Sequence, residues 1–457
     1  MFLSVYTSDK NIDNIVRHNG KTAIRRAYYM NPFKEKSKKP EDYLDSIDNL
    51  FPKPYDKNST SPYTKTRIIL ACGAEYEANW HSHQMLRNIA DLDVRRNISL
   101  VRFLEKQQQQ YLAQLKPADE SILETTIAYE QLAVDLTAEM ARKEKNFNVK
   151  KALDFALLED FDHLYRYADL LDADYGIHAE KLVGKYTEIM PGRPTVAHHR
   201  HPYDNVKDCI SAKKNNIQTV LNTMIITAAE QQTMNFYMNV GAHYKTEGGK
   251  RLYEEICLVE EEHVTQYGSL IDPNCDPFEC TLMHEYVECY VYWSNYMTET
   301  DERMKKIWEY QFENELSHLH AAVGLLKKYD KKDYTDVIPK PEFPEPLELK
   351  ENVDYVRSIL DSTVQYTGKL ADYRPIDALP EDDRYFVYNA NFNSPIRENP
   401  SHKVITDYVK KHGKDYRFQV SEHPIPALSP RDTDNVEVGI SPSAVKPKQS
   451  DGFKQLK

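Results

Sequence analysis

A glutamate and a histidine three residues later lie on one apolar helix face in this sequence. The face contains Phe312, Leu319 and Val323, and the helical period adds Glu315 and His318 to it. An ionised carboxylate in a dry interior costs several kcal/mol unless it is paired, hydrogen-bonded or bound to metal. The pattern therefore indicates a buried polar site that needs a partner.

The same Glu-x-x-His pattern recurs on a second predicted helix. Two more predicted helices each add one glutamate. In chain order the set is Glu, Glu-x-x-His, Glu, Glu-x-x-His, at Glu230, Glu260, His263, Glu285, Glu315 and His318. Four carboxylates and two imidazoles suit a pair of divalent iron or manganese ions, because hard oxygen ligands bridge the metals and nitrogen completes each one. A set rich in carboxylates suits zinc less well than iron or manganese. The sequence predicts one dinuclear metal site with these six ligands.

The carboxylate spacing of this set occurs twice in the chain. Separations of 30, 25 and 30 residues connect the four acids, and an earlier set, shifted by 155 residues, repeats them at Glu75, Glu105, Glu130 and Asp160. This indicates an internal duplication of a whole helical block. The earlier copy has His163 but carries Gln108 where the later copy has His263. We interpret the earlier site as degenerate: a metal-poor structural partner is favoured, and a single metal or an altered pair is the alternative.

Apolar residues at helical spacing predict four helices in each block. The predicted bounds are 64–90, 95–115, 121–143 and 148–173, and then 213–246, 249–270, 279–298 and 302–329. One more helix is predicted near Val353 to Val364. The predicted fold is all-α, with two tandem four-helix bundles. Its domains are an extended N-terminal arm (1–60), bundle 1 (64–173), bundle 2 (213–330), and a proline-rich linker with a largely irregular C-terminal extension (331–457).

Both blocks resemble the ferritin-like superfamily, which includes rubrerythrins, ferritins and di-iron oxygenases. The resemblance covers about 225 of the 457 residues and leaves out the arm and the C-terminal extension. It implies that Glu260 and Glu315 bridge two metals and act as the catalytic carboxylates. The implied ligands of the separate metals are Glu230 with His263, and Glu285 with His318.

Two features of the predicted bundle stay open. The superfamily has a long connection between its second and third helices, whereas only 25 residues separate Glu260 from Glu285. A crossed connection is favoured, and a simple up-down-up-down bundle is the alternative. Glu288 lies one turn from Glu285 and could replace it or join it as a ligand, although a solvated acid is the plainer interpretation.

Other polar residues have plain structural interpretations. Cys289 is expected to pack beside the site, and His284 and His320 are expected to lie outside the ligand set. Four tyrosines are candidates for hydrogen bonding or radical relay near the metals, with packing as the default: Tyr237, Tyr267, Tyr292 and Tyr296. The run from His198 to His201 is interpreted as a solvated loop.

Composition excludes several classes of protein. A net charge of −12 argues against nucleic-acid binding, which needs a basic face. The chain has neither the apolar run of a membrane span nor a secretory signal at its start. The six cysteines form no C-x-x-C pair, so we expect reduced thiols and a cytoplasmic protein. The common nucleotide-binding loops are also absent from the sequence.

The leading functional hypothesis is an oxidoreductase in which two iron (or manganese) ions in bundle 2 react with O2 or H2O2. Peroxide reduction and oxidation of a small substrate are both compatible with it. Without rubredoxin-type cysteines, the electrons must come from a separate donor protein or a small reductant. No nucleic-acid or membrane partner is expected, and a homodimer is compatible with the hypothesis. The alternatives are ferritin-type iron oxidation and storage, and a metal-free helical interaction protein.

Overall fold

The computed structural model of the protein describes residues 30–413, apart from 185, 194–196, 394 and 396–397. Its thirteen α-helices are α1 (Pro62–Asn88), α2 (Leu92–Ala113), α3 (Ile122–Lys143), α4 (Phe147–Tyr175), α5 (Glu180–Val183), α6 (Ile217–Gly241), α7 (Glu247–Leu270), α8 (Pro277–Thr298), α9 (Glu302–Leu325), α10 (Tyr334–Val337), α11 (Val353–Thr363), α12 (Arg384–Phe392) and α13 (Pro400–His412). Strands β1 (Tyr366–Lys369) and β2 (Asp372–Pro375) pair antiparallel. The prediction of a mainly helical fold is confirmed.

The eight long helices, α1 to α4 and α6 to α9, begin and end within five residues of the predicted bounds. Local capping explains the agreement. At the start of α3, Ser121 and Glu124 form a capping box, and Asp276 and Glu279 form another at the start of α8. Gly176 ends α4 in the left-handed conformation, with φ 66°. These end signals were readable in the sequence.

The described residues form two compact units. Unit 1 contains the described residues up to Glu120, Ile210–Gln232 and Ile271–Leu349; unit 2 contains Ser121–Cys209, Thr233–Leu270 and the described residues from Lys350 onward. In unit 1, α1 packs on α2, α8 packs on α9, and the two pairs are joined by contacts of α8 with α1 and of α9 with α2. In unit 2, α4 packs on α3, α7, α11 and α13.

These units differ from the predicted domains. Bundles over 64–173 and 213–330 are not the compact units, because unit 1 takes α1 and α2 from the first repeat and α8 and α9 from the second. The duplication predicted from the sequence gives a physical reason. Corresponding helices of the two repeats have matching lengths and apolar faces, so a helix pair from one repeat can pack where its counterpart would.

The C-terminal prediction is also corrected. Within the described part of 331–457, α11 agrees with the prediction, but α12, α13 and the β1–β2 hairpin replace the expected irregular chain. Residues 414–457 and 1–29 lie outside the described residues. The described part of the arm contains three short 3-10 turns, at Pro32–Lys34, Pro40–Tyr43 and Ile47–Leu50. None of the helices in the described ranges combines the length and apolar composition that a membrane crossing requires.

The expectation of six reduced thiols is wrong for one pair. Cys275 and Cys280 form a disulfide, with Cα atoms 5.7 Å apart, at the turn that leads into α8. A spacing of five residues is not a C-x-x-C motif, but the turn brings the two side chains within bonding range. The other four cysteines are free thiols.

Candidate metal centres

Unit 1 buries five carboxylates and one imidazole among its four packed helices. They are Glu75 on α1, Glu105 on α2, Glu285 and Glu288 on α8, and Glu315 and His318 on α9, each at most 3% exposed. One ligand atom from each of Glu105, Glu285 and His318 lies within 4.8 Å of the others, and the same holds for Glu285, Glu288 and Glu315. The two groups share Glu285. These groups connect five of the residues, and the Glu75 carboxylate interacts electrostatically with Glu315, Glu105 and Glu285, so we call all six the unit 1 cluster.

Two neutral side chains orient the acids of the unit 1 cluster. The Tyr292 hydroxyl donates a hydrogen bond of 2.5 Å to Glu75 Oε1. Gln108 Nε2 donates a hydrogen bond of 2.5 Å to Glu315 Oε1. Each bond uses one carboxylate oxygen and leaves the other available to a cation. Gln108 is thus an orienting donor at the position where the second repeat carries His263.

Many ligand atoms of this cluster have no hydrogen-bond partner among the described residues. Both carboxylate oxygens of Glu105 and of Glu288 are in this state, as are both ring nitrogens of His318. His318 Nδ1 lies 3.4 Å from Glu315 Oε2, an ion-pair distance without hydrogen-bond geometry. Buried polar atoms normally have hydrogen-bond partners, so these atoms are available to a bound cation or water molecule. Hard oxygen donors with one nitrogen fit divalent iron or manganese.

The pKa values of the groups in the unit 1 cluster also fit a site for cations. Burial, followed by repulsion between neighbouring carboxylates, raises the pKa of Glu75, Glu285 and Glu288 well above the ordinary value. Burial likewise raises the pKa of Glu105 to about 7. Burial acts to lower the pKa of His318, but the Glu315 and Glu105 carboxylates raise it overall. Among the described residues, the cluster itself has only His318 as a source of positive charge, which is too little to neutralise its five carboxylates.

Unit 2 contains a second cluster, the unit 2 cluster: Glu130 on α3, Asp160 and His163 on α4, and Glu260 and His263 on α7. All five side chains are buried. One ligand atom from each of Glu130, His163 and Glu260 lies within 4.8 Å of the others. His163 Nδ1 lies 3.0 Å from Glu260 Oε1, and His263 Nδ1 lies 3.2 Å from both Glu260 Oε2 and Asp160 Oδ1. Imidazoles and carboxylates are more nearly balanced here than in unit 1.

The two imidazoles change the pKa values of the carboxyl groups in the unit 2 cluster. Burial acts to raise the pKa of Glu260, but hydrogen bonds from His163 and His263 lower it to about 2. Burial raises the pKa of Asp160 despite the nearby His263. Tyr237 donates a hydrogen bond of 2.5 Å to Glu130 Oε1, the counterpart of Tyr292 in unit 1. Each cluster thus has a tyrosine that orients one glutamate.

The buried carboxylate of Glu159 orients the ring of His263 by binding its Nε2 atom. Glu159 Oε2 lies 2.9 Å from His263 Nε2, and the other oxygen, Glu159 Oε1, lies 2.6 Å from Arg200 Nη1. Burial acts to raise the pKa of Glu159, but Arg200 and His263 lower it overall. A carboxylate behind a metal-binding histidine fixes the ring and its tautomer. Glu159 therefore leaves Nδ1 of His263 facing the acids of the unit 2 cluster.

The structure does not bring the six predicted ligands into one site. Glu285, Glu315 and His318 lie in unit 1, whereas Glu260 and His263 lie in unit 2. The set predicted as degenerate is divided in the same way: Glu75 and Glu105 join the unit 1 cluster, and Glu130, Asp160 and His163 join the unit 2 cluster. Glu230 is buried on the part of α6 that belongs to unit 1. Some predicted partners nevertheless stay together: Glu285, Glu315 and His318 belong to the unit 1 cluster, and Glu260 and His263 belong to the unit 2 cluster.

Several residues take roles that sequence reasoning missed. Glu288 is 2% exposed and belongs to the unit 1 cluster, so the plainer interpretation as a solvated acid is wrong. The run that begins at His198 is not a solvated loop, because His199 pairs with Glu255 at 3.1 Å and Arg200 pairs with Glu159. The helix α4 is buried on every face from Ala156 to Leu171, but six of these sixteen residues are acidic or basic, so the apolar pattern did not mark Glu159 as buried.

No family model, curated protein or solved structure matches this chain.

Proposed function

We propose that this protein is an oxidoreductase of the ferritin-like, dinuclear carboxylate type, in which each unit binds divalent iron or manganese through its own cluster. One observation carries the proposal: the unit 1 cluster buries five carboxylates and one imidazole with several ligand atoms that have no hydrogen-bond partner among the described residues. A buried set of this charge is stable at neutral pH only if protons or cations neutralise it. Two divalent cations supply that charge.

The residues of the chain would hold the metals in unequal ways. In unit 1, Glu285 belongs to both groups of close ligand atoms and would be the central ligand, with Glu315 beside it. His318 would supply the nitrogen ligand, and Glu75, Glu105 and Glu288 would complete the oxygen set. In unit 2, Glu260 lies between two imidazoles and would bind metal together with them. This replaces the prediction of a single metal pair in one tandem bundle.

Bound iron or manganese would supply electron transfer to dioxygen or hydrogen peroxide. Either reaction draws two electrons and two protons from outside the chain. Peroxide gives two water molecules, whereas dioxygen gives one water molecule while its second oxygen atom enters a substrate. The described residues hold protons at the site as well: Glu105, whose pKa burial raises to about 7, exchanges its proton for metal when the site is filled. Tyr292 keeps Glu75 oriented throughout.

Metal content tests this proposal. We expect about four metal ions per chain, measured by elemental mass spectrometry after expression with iron and manganese available. Glu315→Ala should lose about two of them from unit 1, and His263→Ala about two from unit 2, since each substitution removes a ligand of one cluster only. Glu309→Ala, on the partly exposed face of α9, is the matched control and should keep them all. Circular dichroism checks that helicity is retained. A chain without metal, or an unchanged content in Glu315→Ala, would rule out the proposed centre.

A further inference from the structure

Unit 1 contains a cavity of about 140 Å³ beside the unit 1 cluster. Helices α1, α6 and α8 supply most of its wall, and the α6 residues concerned belong to the part of that helix in unit 1. The lining is mainly apolar and includes Leu70, Val220, Met283, Val287 and Val291. An apolar wall of this kind favours the burial of a nonpolar ligand.

One lining residue connects the cavity with the metal ligands. Glu288 lines the cavity, and a carboxylate oxygen of Glu288 lies within 4.8 Å of ligand atoms of Glu285 and Glu315. Its side chain is buried, and neither of its oxygens has a hydrogen-bond partner among the described residues. The same carboxylate therefore belongs to the cavity wall and to the cluster. A molecule held in the cavity is placed against a ligand of the proposed centre.

The charged groups on the cavity wall set the charge of the occupant. Four acids line it, Glu77, Asp272, Glu279 and Glu288, against one lysine, Lys213. Two of these acids are already paired: His284 Nδ1 lies 2.7 Å from Glu77 Oε2, and Lys332 Nζ lies 2.8 Å from Glu279 Oε1. A charged ligand would have to give up its hydration against a mainly apolar wall, which costs free energy. The wall thus favours a neutral molecule.

We propose that this cavity binds the organic substrate of the unit 1 centre, a neutral and mainly apolar molecule of roughly six to eight non-hydrogen atoms. The size follows from the volume, since an apolar cavity of about 150 Å³ engineered in another protein binds benzene. Hydrogen peroxide would leave most of the space unfilled and would find few polar partners on an apolar wall. The cavity therefore selects oxidation of a small substrate from the two reactions given above. This inference rests on the proposed dinuclear function.

Binding of toluene to the full-length protein tests the inference. We expect toluene to bind in a 1:1 ratio, measured by titration calorimetry and ligand-observed NMR, and to alter the electron paramagnetic resonance spectrum of the manganese-loaded protein through Glu288. Benzoate, which has a similar body and a negative charge, should bind at least about tenfold more weakly. Val291→Phe fills the cavity from α8 and should weaken toluene binding at least about tenfold, while the metal content stays unchanged.

Two further variants keep the test decisive. Val220→Phe fills the same cavity from α6 and replaces Val291→Phe if that variant does not fold. Met238→Phe, at an exposed position of α6, is the matched control and should bind toluene as the parent does. Metal retained with no toluene binding, or equal binding by the filled variants and the control, overturns this inference and leaves the proposed function standing. Toluene binding by a chain that takes up no metal overturns the proposed function, and the substrate role of the cavity with it.

Discussion

The metal-free protein is expected to lose thermal stability as the pH rises from about 5 to about 8. Burial raises the pKa of Glu75, Glu285 and Glu288 well above the ordinary value and raises that of Glu105 to about 7. Such a group holds more protons in the folded state than in the unfolded state. Its stabilising effect is complete below the unfolded pKa of 4.5 and is lost as the pH rises towards the folded pKa. Each group lowers the free energy of unfolding by about 1.4 kcal/mol per pH unit inside its window.

Calorimetric melting of chelator-treated protein at three pH values measures this loss. Added Mn²⁺ should abolish the slope or reverse it, because the cation neutralises the same carboxylates. Glu288→Gln, which removes one of the raised groups, should make the slope shallower. Lys207 acts in the opposite sense, since burial lowers its pKa to about 7, but its effect begins only above that pH. His81 and His198, whose pKa burial also lowers, act in the opposite sense below their unfolded pKa of 6.5 and make the slope shallower there. A metal-free protein that becomes more stable from about pH 5 to about pH 7 would contradict the assigned burial of these acids.

Arg200→Met is expected to destabilise unit 2 by about 3–5 kcal/mol. Arg200 is fully buried, and its Nη1 lies 2.6 Å from Glu159 Oε1 while its Nε lies 3.2 Å from Glu262 Oε2. Loss of the guanidinium leaves two buried carboxylates without their main cation. The cost of an unpaired buried charge exceeds the net gain of forming the pair, which is why the expected loss is large. Denaturant unfolding monitored by circular dichroism gives the free energy directly.

A surface pair of the same residue types is the control for Arg200. Arg357 Nε lies 2.5 Å from Glu188 Oε2, and the Arg357 side chain is 43% exposed. Arg357→Met should therefore cost less than about 1 kcal/mol. Combining Arg200→Met with Glu159→Gln should recover part of the loss, because the second substitution removes one stranded charge. Equal effects of Arg200→Met and Arg357→Met would mean that the interior of unit 2 is hydrated.

The sequence was sufficient for the local structure and for the burial of several candidate ligands. The 3.6-residue period located all eight long helices, and the burial of Glu315, His318, Glu260 and His263 followed from their positions on apolar faces. Both signals are local, because they depend on residues within a few turns of one helix. They carry no information on which helices pack together.

The pairing of helices could not be read from a duplicated sequence. The offset of 155 residues gives α1 and α2 the same pattern as α6 and α7, so Glu75 and Glu230 are equivalent candidates for one ligand position. The apolar pattern then does not distinguish one helix from its counterpart, and only the tertiary contacts decide which helices pack together. The buried run at His198 was missed for a related reason: its partners, Glu255 and Glu159, are distant in sequence.

The unit 1 cluster takes ligands from both repeats, and the metal content of three variants tests this most directly: Glu105→Gln, Glu315→Gln and their combination. Glu105 belongs to the first repeat and Glu315 to the second, yet both lie in the unit 1 cluster. We predict that each single variant loses the same metals, about two per chain, and that the double variant loses no more than either single variant. Additive losses, with the double variant losing the sum of the two single losses, would place Glu105 and Glu315 in different sites and would contradict the assembly of one centre from both repeats.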